Sequence, residues 1–452
     1  MFYERRSLRS TLPALGLVAI ATAGACGQED GKNGLSAEEW AMVQEIAPYS
    51  KPMPANPFNH RDQDVAVAKL GQMLFFETDV SEAEPLTVDS PFGKKGDKAK
   101  IGCVTCHDPA RYFADARPGS LSLGRNGYLR RNTPTMLNAG YYNWAGWTGR
   151  HDSLVMHGAG VWSTSASALS YAHYVYRKYR DEYNAVFPAT PLDPALDPLA
   201  PDAARFPMSG APKANAMAAD GPWEKMAPED QKIIQQIQYN LGRIWDTYPR
   251  KLTTPNSPFE RFTKGDEKAL TPEAKRGLRL FIGKAACSDC HSGPTLSDNQ
   301  FHNIGVATNM LATAADVGRF ADLAASSTNV FGGAGQFSDD PAAAAAKNAT
   351  VVQMDMTMMG AFRTPGLLSI EKTGPYFHSG EFPTLESVVR FYNVGGGDKA
   401  GDGGPGTYAG TKDVRLRPLG LTEPEIADLV AFLKSLTGDL PPLEWTQDTA
   451  KH

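Results

Sequence analysis

Two short stretches hold the residues best suited to chemistry. They are Cys103-Val104-Thr105-Cys106-His107 and Cys287-Ser288-Asp289-Cys290-His291. Each sets two thiols three positions apart and a histidine directly after the second. The chain has five cysteines, and the fifth is Cys26. Paired cysteines serve disulfides in exported proteins, four-thiolate zinc sites and covalent haem. Zinc pairs lie much closer in sequence than these two, and a redox Cys-x-x-Cys disulfide has no need of the adjoining histidine. Cys-x-x-Cys-His is the attachment site of a c-type haem: the thiols form thioethers to the porphyrin and the histidine reaches the iron. The two copies predict two covalent haems, with His107 and His291 as proximal ligands.

The N-terminal residues fit this chemistry, because such haems are attached outside the cytoplasm. Arg5, Arg6 and Arg9 precede an apolar run from Leu12 to Ala25, too short to span a membrane and suited to a signal peptide. The run ends in "AGAC", which resembles a lipoprotein cleavage box with Ala23 where leucine is usual. This predicts a signal over 1–26, lipidation of Cys26 and a periplasmic protein held to the membrane by its lipid alone. Ordinary signal cleavage nearby is the alternative.

The elements that must position the haems follow. A chain of 452 residues suggests two or three units. With 45 basic and 50 acidic residues the net charge is -5, which argues against a nucleic-acid surface. The 33 prolines and 43 glycines imply many turns. Residues 27–60 read as a tether. "VAVAKLGQMLFF" (65–76) reads as a helix before the first motif. A Pro/Ala-rich stretch at 188–222 has no period and reads as an insertion. "DQKIIQQIQYNLGRIW" (230–245) puts Ile233, Ile234, Ile237, Leu241 and Ile244 on one helical face. A second unit opens at "LTPEAKRGLRLF", with Thr271 as N-cap and Pro272 at the first helical position. Residues 311–350 read as a loop. "LTEPEIADLVAFLKSLTG" carries a capping box, Thr422 to Glu425, and Gly438 is expected to end that helix. The fold class expected is mainly α: two cytochrome c-type haem domains with long loops, over 61–250 and 262–440, with a tail at 441–452.

The chain resembles the bacterial di-haem cytochrome c peroxidases, and within them the MauG-like branch, over roughly 65–185 and 230–440. The motifs that carry this are "LGQMLFF", "CVTCHDPARYFAD", "RRNTPTMLNAGYYNWAGWTGRHDSL", "CSDCHSG", "FHNIGV", "GAFRTPGLLSIEKTGPYFHSGEFPTLESVVRFYN" and the last helix. The resemblance implies a first haem that reacts with hydrogen peroxide and a second that handles electrons. It implies a sixth ligand to the second iron fourteen positions after His378, which is Tyr392. An anionic phenolate there stabilises oxidised iron. Trp147 matches the tryptophan between the haems, an electron relay. A calcium ion between the domains is implied at the Asn132 side chain and the Thr373 and Pro375 carbonyls, oxygen donors that suit calcium. The implied donor is a small redox protein, a cytochrome c or cupredoxin, or an oxidisable protein partner; a homodimer is common among the resembling proteins.

Asp108 to Asn132 contains no histidine or methionine that could fill the open position on the first iron. This predicts an iron open at rest. The family's distal glutamine aligns with His157, and the glutamate ten residues later with Ser167. O–O cleavage needs a proton carrier, so His157 is the candidate. Glu182 and His173 are alternatives if the segment is shifted, and His302 is expected beside the second haem rather than on its iron. The missing carboxylate keeps a rival reading open: a non-enzymatic di-haem electron carrier or haem sensor.

Overall fold

The computed structural model describes residues 34–451 except 116, 118–121, 125, 163–164, 323–328 and 350–354. Cys26 and the signal segment lie outside the described residues. The fold is largely helical. The helices are α1 (Ala37–Glu45), α2 (Val65–Phe76), α3 (Cys103–Cys106), α4 (Leu154–Val161), α5 (Ala168–Val186), α6 (Pro228–Thr247), α7 (Pro258–Thr263), α8 (Pro272–Ile282), α9 (Pro341–Ala349), α10 (Leu385–Asn393), α11 (Glu423–Lys434) and α12 (Leu443–Thr446). Three two-residue strand pairs pin loops: Leu123–Gly124 with Gly127–Tyr128 and Phe301–His302 with Phe362–Arg363, both antiparallel, and Ala400–Gly401 with Tyr408–Ala409, parallel.

Two hydrophobic cores result. The first gathers α2, α5 and α6 around Phe75, Tyr179, Tyr183, Ile244 and Trp245. The second gathers α8, α10 and α11 around Leu278, Phe281, Val389, Val430 and Phe432. Sequence punctuation set several boundaries. Asp64 caps α2 through the amides of Ala66 and Val67; Thr271 caps α8 with Pro272 behind it; Thr422 and Glu425 form the expected box on α11. Such a cap contributes about 1 kcal/mol.

In each core, helices meet backbone to backbone at a glycine. A Cβ on Gly242 of α6 would lie 2.3 Å from the Val155 carbonyl of α4, and one on Gly158 of α4 would lie 2.4 Å from Trp245 Cβ. A Cβ on Gly277 of α8 would lie 2.0 Å from the Asp428 carbonyl of α11. No larger residue fits at these crossings.

Four segments differ from the pattern-based expectations. Residues 34–60 are not all tether: Ser36 caps α1, whose Val43 packs into the second core with Leu35 and Ile46. The tail crosses the other way, with Trp445 in the first core and its carbonyl accepting from the Tyr248 hydroxyl at 2.8 Å. The 188–222 segment is pinned: Leu192, Leu196 and Phe206 are buried, and both ring nitrogens of His173 meet its carbonyls, Leu196 O at 2.9 Å and Phe206 O at 3.1 Å. Within 311–350, Pro341 and five following alanines form α9, since alanine is the strongest helix former and proline is tolerated in the first turn. Gly438 lies beyond the C-cap of α11 at Ser435, and there its lack of a side chain admits the Thr254 carbonyl.

A nearly buried ion pair links the two parts of the chain. Arg131 donates to both oxygens of Asp316, at 2.8 and 2.7 Å, and to Asp322 at 3.1 Å. Burial pushes the Asp316 carboxyl up, and the Arg131 hydrogen bonds outweigh it, so its pKa is lowered. A lowered carboxylate pKa gives stability that is present above the unfolded value, about 4, and lost as pH falls below it. Arg131→Met leaves a buried carboxylate unpaired, and thermal or denaturant unfolding should show a loss of about 3 kcal/mol at neutral pH. That loss should shrink on acidification; a pH-independent loss would show that the charge pair is not its source.

Candidate haem sites

Both Cys-x-x-Cys-His segments use the same local device. His107 Nδ1 lies 3.1 Å from the Phe113 carbonyl, and His291 Nδ1 lies 3.0 Å from the Leu296 carbonyl. Phe113 and Leu296 are fully buried and adopt left-handed φ values of 56° and 54°. That turn aims each carbonyl back at its histidine, at a backbone cost of order 1–3 kcal/mol. An Nδ1–H donated to a carbonyl fixes the tautomer and leaves Nε2 as the ligand. Desolvation pushes His107 down to about 4 and lowers His291 as well, so both rings are neutral, as ligation requires.

The four motif cysteines are free thiols rather than disulfides. They do not converge as a zinc site would: among the described residues only Cys290 belongs to a cluster of metal-ligand groups, with Asp298 and His302. Burial pushes Cys287 up to about 12. Unpaired thiols beside each histidine are what thioether attachment of a haem requires.

The second motif opens onto a cavity of about 200 Å³. Cys287, Cys290, His291, Tyr392, Trp147 and His378 line it. Tyr392 comes from α10, whose Leu385 and Val389 face the core as expected. Its hydroxyl has no hydrogen-bond partner among the described residues, and burial raises its pKa, so ionisation there calls for a cation such as iron. His378 is buried, stacks on Phe362 at 3.6 Å, and its Nε2 has no partner among the described residues. The cavity walls fit a haem with His291 on one side and a free phenol to offer.

Trp147 is half-buried in that wall. Its indole N–H donates to the Asn132 carbonyl at 2.7 Å, and its ring lies 6.5 Å edge-on from His378. The Asn132 side chain is buried, its Nδ2 donates to the Pro375 carbonyl at 3.4 Å, and its Oδ1 has no partner among the described residues. An orphaned amide oxygen beside a carbonyl suits a hard cation. Thr373 ends the 3₁₀ turn Ile370–Lys372 two residues before Pro375.

His157, on α4, is half-buried. Its Nδ1 lies 3.2 Å from His151 Nδ1, and its ring lies 6.0 Å from Trp245 of α6. His107 contacts the same indole at 5.9 Å. The Gly158–Gly242 crossing therefore brings His157 beside the first motif. Desolvation, then the charge of His107, pushes His157 down to about 3, and His151 is lowered too. Both rings are neutral at working pH.

The other expected residues sit elsewhere. Ser167 caps α5, and its backbone N–H donates to the Glu84 carboxylate at 2.9 Å. Glu182 pairs with Lys451. His302 lines the second cavity and bridges Asp298 at 2.9 Å and Asp413 at 3.0 Å, with Arg415 beside it. Burial lowers its pKa, and the acidic contacts more than reverse that, raising it to about 10. Both of its ring nitrogens are thus engaged by carboxylates. Trp245 and Glu84 carry no motif, and only the helical face that includes Ile244 hinted at Trp245; His151 lies within the quoted "WTGRHDSL" motif, which gave it no role.

The geometry is that of a c-type cytochrome with two attachment sites. A family model of di-haem cytochrome c peroxidases matches residues 65–268. The chain is 30% identical to the cytochrome-c peroxidase IdrP2 of Denitromonas iodatirespirans, over 82% of each chain. It is 27% identical to the methylamine utilization protein MauG of Methylorubrum extorquens, over 87% of this chain and 82% of that one. Among solved structures it is similar to a MauG-like protein associated with microbial copper homeostasis. That match has a TM-score of 0.56 at 22% identity and covers 88% of this chain and 98% of the other. The chain belongs to the di-haem cytochrome c peroxidase family, and so to a family that carries two c-type haems.

Two substitutions test the site's construction. Gly242→Ala must push α4 from α6, and should cost about 1–3 kcal/mol in denaturant unfolding. Tyr392→Phe should raise the reduction potential of the second haem and alter its ferric spectrum; an unchanged potential in a redox titration would remove Tyr392 from the iron.

Proposed function

We propose that this protein is a MauG-like di-haem peroxidase, exported and lipid-tethered through Cys26 in the periplasm. The reading rests above all on one observation: a neutral histidine, His157, beside His107 with its Nε2 free of any hydrogen bond among the described residues. When bound, the haems supply peroxide reduction at the first iron and electron storage at the second. His107 and His291 hold the irons, with the carbonyls of Phe113 and Leu296 orienting them. Tyr392 offers its phenolate to the second iron. His157 takes a proton from peroxide at Nε2 and returns it to the departing oxygen; a neutral imidazole can accept that proton, and His151 at Nδ1 keeps the ring oriented. Trp147 relays electrons between the two sites. Asn132, with the carbonyls of Pro375 and Thr373, holds a calcium ion that fixes the wall carrying Trp147.

Electrons come from a small redox protein or an oxidisable protein partner. A groove of about 1270 Å³ runs beside the second site and shares His302, Asp413 and Arg415 with the cavity wall, so a partner seated there would lie next to the second haem. The di-haem carrier or sensor draws its support from Ser167, whose hydrogen bonds serve a helix cap rather than a reacting oxygen.

The ferric, haem-loaded protein mixed with one equivalent of hydrogen peroxide should change its visible spectrum within a stopped-flow trace, without prior reduction. His157→Ala should slow that phase by about 10²–10⁴-fold, and His157→Gln should restore part of it. A ferric spectrum that peroxide leaves unchanged, in this and in the half-reduced protein, would favour the carrier.

A further inference from the structure

The first site has a second line of oxidisable rings, leading away from Trp147. Trp245, which touches both His107 and His157, meets Trp162 at 5.9 Å edge-on. Trp162 meets Tyr171 at 4.6 Å, and Tyr171 meets Tyr174 at 6.2 Å. Trp245, Trp162, Tyr171 and Tyr174 are all buried. Edge contacts of this length are ordinary aromatic packing. Phenylalanine would pack as well, yet every ring in this line is a Trp or Tyr, able to give up one electron.

The far end is built for a phenol that loses an electron. The Glu77 side chain is fully buried. Tyr174 and Tyr179 both donate their hydroxyls to it, and Lys178 donates at 3.0 Å. Residues five apart on a straight helix point about 140° away from each other. A break in α5 at Tyr179, with φ -131° and ψ 18°, lets both reach one carboxylate. A buried carboxylate is costly unless paired, and here Lys178 and the two phenols offset that cost. A phenol hydrogen-bonded to a carboxylate can pass its proton across as its electron leaves, and take it back afterwards. Beyond Tyr174, the exposed Arg177 and the partly exposed Lys178 lie over its ring at 5.5 Å each. They line a surface hollow with Tyr176, Arg180 and Lys451.

We propose that Trp245, Trp162, Tyr171 and Tyr174 form a path that carries oxidising equivalents from the first haem site to this hollow, a second oxidation site for small phenols. Each ring donates one electron inward and is refilled from its outer neighbour. Tyr174 lends its proton to Glu77 and takes it back when a phenol at the surface donates an electron; the phenol's proton passes to solvent, which supplies the proton consumed at the first site. One peroxide takes two electrons and two protons from two phenol molecules, yielding two waters and two phenoxyl radicals. The proposal rests on the peroxide reading of the first site.

The test uses the haem-loaded protein, one equivalent of hydrogen peroxide, freeze-quench electron paramagnetic resonance and guaiacol as the phenol. The wild type should give a tyrosyl signal that narrows when its tyrosines are ring-deuterated, and guaiacol should abolish that signal as it is oxidised. Trp162→Phe and Tyr174→Phe should each lose the signal and guaiacol turnover while the first optical phase with peroxide is unchanged. Trp162 Nε1 has no hydrogen-bond partner among the described residues, so its phenylalanine variant should keep the fold if Tyr174→Phe does not. An optical phase without a tyrosyl radical, or a radical that survives Trp162→Phe, overturns the path alone. A haem spectrum that peroxide leaves unchanged overturns the peroxide reading and the path with it.

Discussion

The architecture depends on helices that touch without side chains between them. Helix α6 is the hub: Gly71 of α2 lies against its Ile244 and the adjoining Tyr248, and Gly158 of α4 against its Trp245, while its own Gly242 admits the Val155 carbonyl. One helix thus fixes both the element that leads to the first Cys-x-x-Cys-His and the element that carries His157. In the second core, Gly277 does the same for α8 and α11, and α8 runs directly into Cys287. A haem held covalently over only five residues would depend on such contacts for the wall against its other face. Close packing also explains the exchange of chain ends: α1 covers the second core and Trp445 the first, so neither core closes without a segment from the far end of the sequence.

Charge is handled differently at the sites and in the scaffold. In the scaffold, buried charges are paired: Arg131 with Asp316 and Asp322, Arg250 with Asp62 and Asp246, Lys178 with Glu77. At the sites, Tyr392, His378 and His157 are neutral, and the Tyr392 hydroxyl, His378 Nε2 and His157 Nε2 have no hydrogen-bond partner among the described residues. Lone polar groups in a desolvated space are unfavourable unless something completes them. Metal and peroxide chemistry at these points would complete them, and the cost is met by the paired scaffold around them.

Much of this was legible in the sequence, because covalent attachment writes itself into adjacent residues. The two motifs, the caps at Thr271 and Thr422, and the periodic helices at 65–76 and 230–245 all rest on local spacing. What was not legible depends on residues far apart. Trp245 becomes a neighbour of His107 and His157 only through the crossing at Gly242, and Glu84 reaches Ser167 across more than eighty residues. The 188–222 stretch has no period because its few apolar residues dock singly, held by carbonyl bonds to His173 rather than by a repeating face. The 311–350 loop hid α9 because an alanine run has no amphipathic signature.

The position of His157 bears on how such a site can work without the expected carboxylate. A glutamine and a glutamate divide the task between a donor and a proton carrier. A neutral imidazole combines both, since one nitrogen can be fixed by His151 while the other exchanges a proton. A pKa pushed down to about 3 favours return of that proton once the O–O bond has parted. Ser167 is then free to cap α5, and Glu84 to hold that cap through Ser167 and Ser170. The same helix, seven to twelve residues on, carries Tyr174 and Tyr179 to Glu77. The loss of a carboxylate at the start of α5 and the burial of one near its middle thus belong to one helix, which on the proposed reading no longer serves peroxide but drains the oxidising power that peroxide leaves behind.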